Sequence, residues 1–164
     1  MTAPEALPKV LKLFGVYYKI NTETPASPFA AEAVFTAKDE HYAMFRNVKY
    51  AEADSAEYVF LALTDHLNLE TAEHLSDAAW NEGLSRVTPG PNHRNTDVTL
   101  IILAEQVDPD AENYIKKLRH YKSYKHMFHG WSNYRTVVLD TFTGRKASNR
   151  LGRDLEKLFD NIPI

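Results

Sequence analysis

The residues best suited to binding a ligand are ten basic side chains that fall between Tyr114 and Arg153. The same 40 residues contain one acid, Asp140, so this segment has a formal charge of +9, whereas residues 1–113 hold 8 basic and 18 acidic side chains. Tyrosine, phenylalanine and tryptophan rings are interleaved with the basic residues. Because lysine and arginine neutralise phosphates and flat rings stack on unpaired bases, the pattern favours a non-catalytic module that binds a polyanion, with nucleic acid as the default.

Six residues of this segment form the predicted ligand-binding set, which is Lys122, Lys125, Trp131, Arg135, Arg150 and Arg153. Arg135 alternates with apolar residues in a strand-like run, so burial there would require a carboxylate partner such as Asp97. Trp131 follows Gly130, whose freedom to adopt φ > 0 predicts a tight turn. The tryptophan can serve as a plug at the edge of the core or as an exposed platform. A simpler interpretation of the whole segment is a set of core rings and solvated lysines.

Metal binding is a second possible chemistry. The candidate ligands for a metal-dependent hydrolase are His93, Asp97 and the histidines of residues 120–129, with His126 and His129 foremost, since imidazole and carboxylate groups bind zinc. The chain has no cysteine, which excludes disulfides and thiolate zinc sites. It also lacks a two-histidine zinc-helix motif, a phosphate-cradling glycine loop and a nucleophile elbow. We therefore assign no catalytic residue and expect no cofactor.

Association with a second copy is the third interpretation. The basic segment of one chain could meet the acidic remainder of another and form a homodimer. No apolar run approaches the roughly 20 residues that cross a bilayer, and the first residues lack a signal-peptide cleavage pattern. We expect a cytoplasmic protein with no membrane partner.

One α+β domain over residues 1–164 is predicted to position these groups, because this length suits about one domain. A mixed sheet flanked by helices, in the order αβββαβαββα, is the simplest arrangement. Helices are predicted over residues 5–14 and after Asn68, Asp108 and Asn149. The predicted strands are residues 31–37, 41–50, 57–64, 97–104, 134–140 and 145–148. The segment 97–140 could be a crossover that joins two parallel strands.

The C-terminal third resembles a prokaryotic family defined as a domain of unknown function. The similarity is best over residues 90–160, with a second match at His93 and Thr96. It rests on a Lys-Ser-aromatic group, a Gly-Trp pair, an arginine, a strand ending in aspartate and an Asn-basic-x-Gly-basic group. These are Lys122, Ser123, Tyr124, Gly130, Trp131, Arg135, Asp140, Asn149, Arg150, Gly152 and Arg153. The resemblance implies a fold and a candidate site, and it implies no activity.

Overall fold

Apolar runs in the sequence form the central strands of a seven-stranded sheet in the computed structural model, which describes residues 1–36 and 54–163. The strands are β1 (Lys19–Asn21), β2 (Ala31–Thr36), β3 (Asp54–Leu67), β4 (His93–Val107), β5 (Tyr121–Ser123), β6 (Trp131–Asp140) and β7 (Lys146–Ser148). The helices are α1 (Ala3–Leu11), α2 (Leu69–Ser85), α3 (Pro109–Lys117), α4 (Arg153–Phe159) and a 3₁₀ turn (Arg150–Gly152). This single mixed α+β domain confirms the predicted fold class.

The sheet is mixed because two helical connections join parallel strands. Helix α2 connects β3 to β4, and α3 lies in the connection from β4 to β6. Its strand order is β1-β2-β3-β4-β6-β5, and β7 also pairs with β6. Strand β4 is parallel to both β3 and β6, and the other pairs are antiparallel. The parallel pairing of β4 with β6 confirms the crossover predicted over residues 97–140.

Apolar cores cover both faces of the sheet. Alternate residues of β4 point to opposite faces, so Leu100 and Ile102 join the core under α2 and α3, whereas Ile101 and Leu103 join the core under α1 and α4. All four side chains are fully buried. Burial on both faces explains why the sequence of β4 is almost continuously apolar at its centre.

Polar residues at the helix starts position the helices. The Asn68 side chain accepts a hydrogen bond from the amide of Thr71 (2.8 Å) and caps α2 as predicted. A capping box between Thr2 and Glu5 begins α1 earlier than predicted. Asp108 occupies the N-cap position of α3, but its carboxylate makes no capping bond and lies 2.7 Å from Nε2 of His66.

The main departures from the sequence predictions lie at strand ends. Strands β1 and β5 were not predicted, because three residues are too few for a detectable period and both form only by pairing with a neighbour. Strands β3, β4 and β6 each begin three or four residues earlier than predicted, in polar sequence. The strand predicted over residues 41–50 lies outside the described residues.

Candidate functional site

A basic cleft of about 810 Å³ lies where α3, β7 and α4 meet. Strand β7 packs against both helices, so this contact gathers cations from three separate parts of the chain. The cationic residues that line the cleft are Lys116, Arg119, Lys146, Arg150, Arg153 and Lys157. Two acids, Glu156 and Asp160, also line it, which leaves a formal excess of four positive charges.

Two of the cleft lysines are already paired. Lys116 donates to Glu112 at 2.6 Å, one helical turn away, and Lys146 is bonded to Asp160. Both pairs involve an exposed partner, where solvent screens the interaction and leaves about 0–1 kcal/mol. These pairs fix the side chains only weakly, and an incoming anion could compete for either lysine.

Four cleft cations have no ion-pair partner among residues 1–36 and 54–163, namely Arg119, Arg150, Arg153 and Lys157. All four are exposed. The remaining acid, Glu156, accepts a hydrogen bond from the Ser148 hydroxyl at 2.6 Å. The cleft therefore presents guanidinium and ammonium groups whose charge is not neutralised internally.

Asn149 holds the cleft in place. Its Oδ1 accepts from the amides of Thr136 (3.1 Å) and Gly152 (2.9 Å), and its Nδ2 donates to the carbonyls of Leu118 (3.2 Å) and Tyr134 (3.0 Å). This buried side chain thereby joins β6, the end of α3 and the 3₁₀ turn. The arginines on that turn and on the following helix are positioned as a consequence.

Of the six predicted site residues, only Arg150 and Arg153 line this cleft. Lys122 lies on β5, where its Nζ is 5.5 Å from the ring centre of Tyr124. Lys125 is exposed in the following loop with φ of +45°. Trp131 is half-buried at the first position of β6. Its partial burial is consistent with either role considered for it.

The two groups are separated along β6. Lys122 is opposite Ser132, and Ala147 of the cleft wall is opposite Val138. Six residues of strand at about 3.3 Å each place these points roughly 20 Å apart. Lys122 and Lys125 therefore lie outside the cleft, although Lys122 follows the cleft residue Arg119 by only three residues.

Arg135 serves a different purpose from the other cations. Its NH1 lies 3.3 Å from Oε1 of Glu57, and its Nε donates to the carbonyl oxygen of Leu151 (3.3 Å). The carboxylate partner is thus Glu57, whereas the sequence suggested Asp97. Thr99 lies opposite Arg135 in the parallel register, and the longer side chain of Glu57 reaches across to both.

Glu57 is the centre of a hydrogen-bonded cluster on the α1 and α4 face of the sheet. Beside Arg135, it accepts from the hydroxyls of Tyr18 (2.5 Å) and Thr99 (3.0 Å). Burial and the bond to Glu57 raise the pKa of Tyr18 well above its usual value, so the phenol remains a proton donor. The cluster satisfies both oxygens of a nearly buried carboxylate.

The histidines and Asp97 do not converge. His93 donates from Nδ1 to the carbonyl oxygen of His129 (2.6 Å), and its Nε2 lies 2.8 Å from the Thr96 hydroxyl, so both ring nitrogens have protein partners. His126 is exposed in the loop after β5. Asp97 points to the face of the sheet that carries Glu57. Within the described parts of the chain, no group of three or more His, Asp or Glu side chains could hold a metal ion.

Sequence reasoning missed four cleft cations, which are Lys116, Arg119, Lys146 and Lys157. Helical spacing held part of the signal, since Lys157 lies four residues after Arg153 on α4. Nothing local indicated that α3 would end beside α4. Glu57 and Tyr18 were also missed as site residues, because they meet only when β1 and β2 fold against β3.

A comparison with known protein families shows which family this chain belongs to. The model of a family described as "Domain of unknown function (DUF8052)" matches residues 3–161. The chain belongs to this family. Membership of DUF8052 confirms the prediction of an uncharacterised domain family, and the match covers nearly the whole sequence. No curated protein and no solved structure gives a significant match. No helix of the described DUF8052 residues is long and apolar enough to span a membrane.

Proposed function

We propose that this protein is a non-catalytic module that binds a polyanion, with nucleic acid as its ligand, through the basic cleft between α3, β7 and α4. The observation that carries the proposal is the excess of exposed, unpaired cations there. Arg119, Arg150, Arg153 and Lys157 face a single cleft, and none of the four has an ion-pair partner among the described residues. Like charges held together favour a ligand that supplies several negative charges at once.

Phosphate groups match this chemistry better than carboxylates on a protein surface. A guanidinium group binds a phosphate through two parallel hydrogen bonds, and the cleft holds three arginines. No aromatic ring of residues 1–36 or 54–163 lines the cleft. Binding there would therefore depend on the phosphate backbone and show little preference for base sequence.

Titration with labelled oligonucleotides across a series of salt concentrations tests the proposal. We expect tight binding at low salt and a steep linear fall of log K with log salt, because phosphate contacts release counterions. The double substitution Arg150→Gln and Arg153→Gln should weaken binding about tenfold and lower the slope for duplex DNA by about two.

A matched control removes the same charge from another surface. Lys12 and Lys19 are exposed residues near α1 and β1, outside the cleft. Lys12→Gln with Lys19→Gln should leave affinity and salt slope close to those of the unmodified protein. The proposal fails if no single-stranded or double-stranded DNA or RNA binds at about 50 mM salt, a condition that favours phosphate contacts. It also fails if both double variants bind alike.

A further inference from the structure

The loop between β5 and β6 carries the most exposed large apolar side chain of the described residues, and it lies outside the basic cleft. Phe128 is 81% exposed, and its neighbour Met127 is 55% exposed. Other rings of the basic segment are covered, since Tyr134 is fully buried and Tyr124 is half-buried. A single exposed ring needs no explanation by itself, but the backbone beneath this one does.

The backbone below these side chains has an unfavourable conformation. Three consecutive residues, Lys125, His126 and Met127, have φ values of +45°, +50° and +74°. Residues other than glycine rarely adopt this left-handed region, and such residues concentrate where a binding site requires a fixed geometry. The turn therefore sets how the tip of the loop is presented to solvent.

Hydrogen bonds at the base of the loop anchor its tip. The amide of Tyr124 donates to the carbonyl oxygen of Gly130 (2.9 Å), and the amide of His129 donates to the carbonyl oxygen of Tyr124 (3.1 Å). The carbonyl oxygen of His129 also accepts from Nδ1 of His93 (2.6 Å), which ties the loop to the start of β4. The tip is thus organised before a ligand arrives, so less conformational entropy is lost on binding.

Positive charge flanks the tip. Lys122 and Lys125 are exposed and have no ion pair among the described residues. Residues 114–139 contain no aspartate or glutamate. The cleft residue Arg119 lies three residues before Lys122, so at most about 11 Å of backbone separates them. A chain of phosphates that leaves the cleft at Arg119 therefore finds the next cations beside the loop.

We propose that the tip of this loop binds an unpaired nucleotide of a single-stranded nucleic acid, whose base stacks on Phe128 while Lys122 and Lys125 contact the adjoining phosphates. Every base has a flat π face, so this contact tolerates any sequence. The inference rests on the proposed function, since the cleft supplies the phosphate contacts that bring the strand to the loop. A membrane surface is disfavoured, because two apolar side chains are less than the single acyl chain that already binds membranes only marginally.

Titration with oligonucleotides that differ only in their bases tests the contact. The probes are a single strand of about 12 thymidines, an abasic strand of the same length and a duplex of the same length. Phe128→Ala, at an exposed position that should tolerate truncation, should weaken binding of the thymidine strand about tenfold. It should leave the affinity for the abasic strand and the duplex unchanged, because no phosphate contact is lost.

Further substitutions separate stacking from apolar burial. Phe128→Trp keeps a flat ring and should bind the thymidine strand at least as tightly as the unmodified protein does. Phe128→Leu keeps an apolar side chain without a flat ring and should behave as Phe128→Ala does. Tyr17→Ala is the matched control and should change nothing, because it removes a ring that is 69% exposed beside β1, at the opposite edge of the sheet.

The proposal is overturned if Phe128→Ala binds the thymidine strand as the unmodified protein does, or if it weakens the thymidine and abasic strands equally. Cosedimentation with vesicles of phosphatidylserine and phosphatidylcholine that depends on Phe128, while strand binding does not, would instead assign the tip to a membrane. Strand binding that depends on Arg150 and Arg153 but not on Phe128 would remove this site alone. Failure of the proposed function is distinguishable, because then neither strand nor the duplex binds.

Discussion

Single residues set local geometry in this protein through close backbone contacts. Asn149 joins three elements with one buried amide, and Gly152 allows the backbone of the 3₁₀ turn to approach β6. Gly130 has φ of +82°, which confirms the turn predicted before Trp131, and a Cβ there would lie 2.4 Å from the carbonyl oxygen of Arg94. Both glycines belong to the motifs that carried the family resemblance. Their role in this chain is steric, because a Cβ atom at either position would lie 2.4 Å from a backbone carbonyl oxygen.

We expect Gly152→Ala to destabilise the protein by about 1–3 kcal/mol, because the added methyl group would sit 2.4 Å from the backbone carbonyl oxygen of Thr136. The neighbouring atom is backbone and cannot move aside cheaply. Urea denaturation measures the change. Gly90→Ala is the control, since no atom lies within 4 Å of its added methyl group. Equal midpoints for the two variants would contradict the steric explanation.

Elements are tied together by a few strong polar contacts between helices and strands. The end of α2 is joined to β2 through Arg86, whose NH1 and NH2 donate to the two oxygens of Glu32 at 3.1 and 2.7 Å. The guanidinium also lies 5.2 Å from the ring centre of Phe60. Burial by itself raises the pKa of Glu32, but hydrogen bonds from Arg86 and the Ala26 amide outweigh it, and the pKa is lowered overall.

Because of the ion pair between Arg86 and Glu32, we expect the protein to lose stability in acid. A carboxyl group whose pKa is lower in the folded state stabilises the fold above its unfolded pKa of about 4.3, and that contribution is lost as pH falls through the folded value. Glu32→Gln should reduce the free energy of unfolding at pH 7 by about 1–3 kcal/mol. Its stability should also fall less steeply below about pH 5. Urea midpoints measured at several pH values test this, and parallel curves for variant and unmodified protein would refute it.

At the scale of the whole molecule, basic side chains follow one another along one edge of the sheet. The basic cleft is followed along β6 by a second basic region, which consists of Lys122 and Lys125. Ala147 in the far wall of the cleft is roughly 20 Å from Lys122 along the strand, and the cleft residue Arg119 lies three residues before Lys122. Duplex DNA carries one phosphate charge per roughly 1.7 Å of its axis, so about 12 charges span that distance. A long nucleic acid could contact both regions, whereas a short one or a small phosphate could occupy only the cleft.

Length dependence tests this arrangement. Lys122→Gln with Lys125→Gln should weaken binding of a duplex of about 30 base pairs several-fold and leave the affinity for a duplex of about 6 base pairs unchanged. Arg150→Gln with Arg153→Gln should weaken both. Fluorescence anisotropy with the two labelled duplexes measures this, and sedimentation of the free protein shows whether self-association contributes. If the lysine variant affects both lengths equally, the two regions do not act separately.

Local patterns were enough to predict much of the fold. The apolar centre of β4, the cap at Asn68 and the Asp108-Pro109 start of α3 all indicate structure within a few residues of themselves. Mixed-sheet architecture followed from the order of these elements, because each has a face that must be buried. The charge contrast between residues 1–113 and Tyr114–Arg153 was likewise visible in the sequence.

The sites needed the tertiary structure, because their residues come from elements that are distant in sequence. Sequence proximity grouped Lys122 with Arg150, but Lys122 lies on β5, which pairs with the start of β6, outside the cleft that Arg150 lines. Arg135 needed a carboxylate wherever it was buried, yet only the parallel register of β3, β4 and β6 selected Glu57 over Asp97. Residue type determined which interactions had to be satisfied, and strand pairing over long sequence separations decided which partners satisfied them.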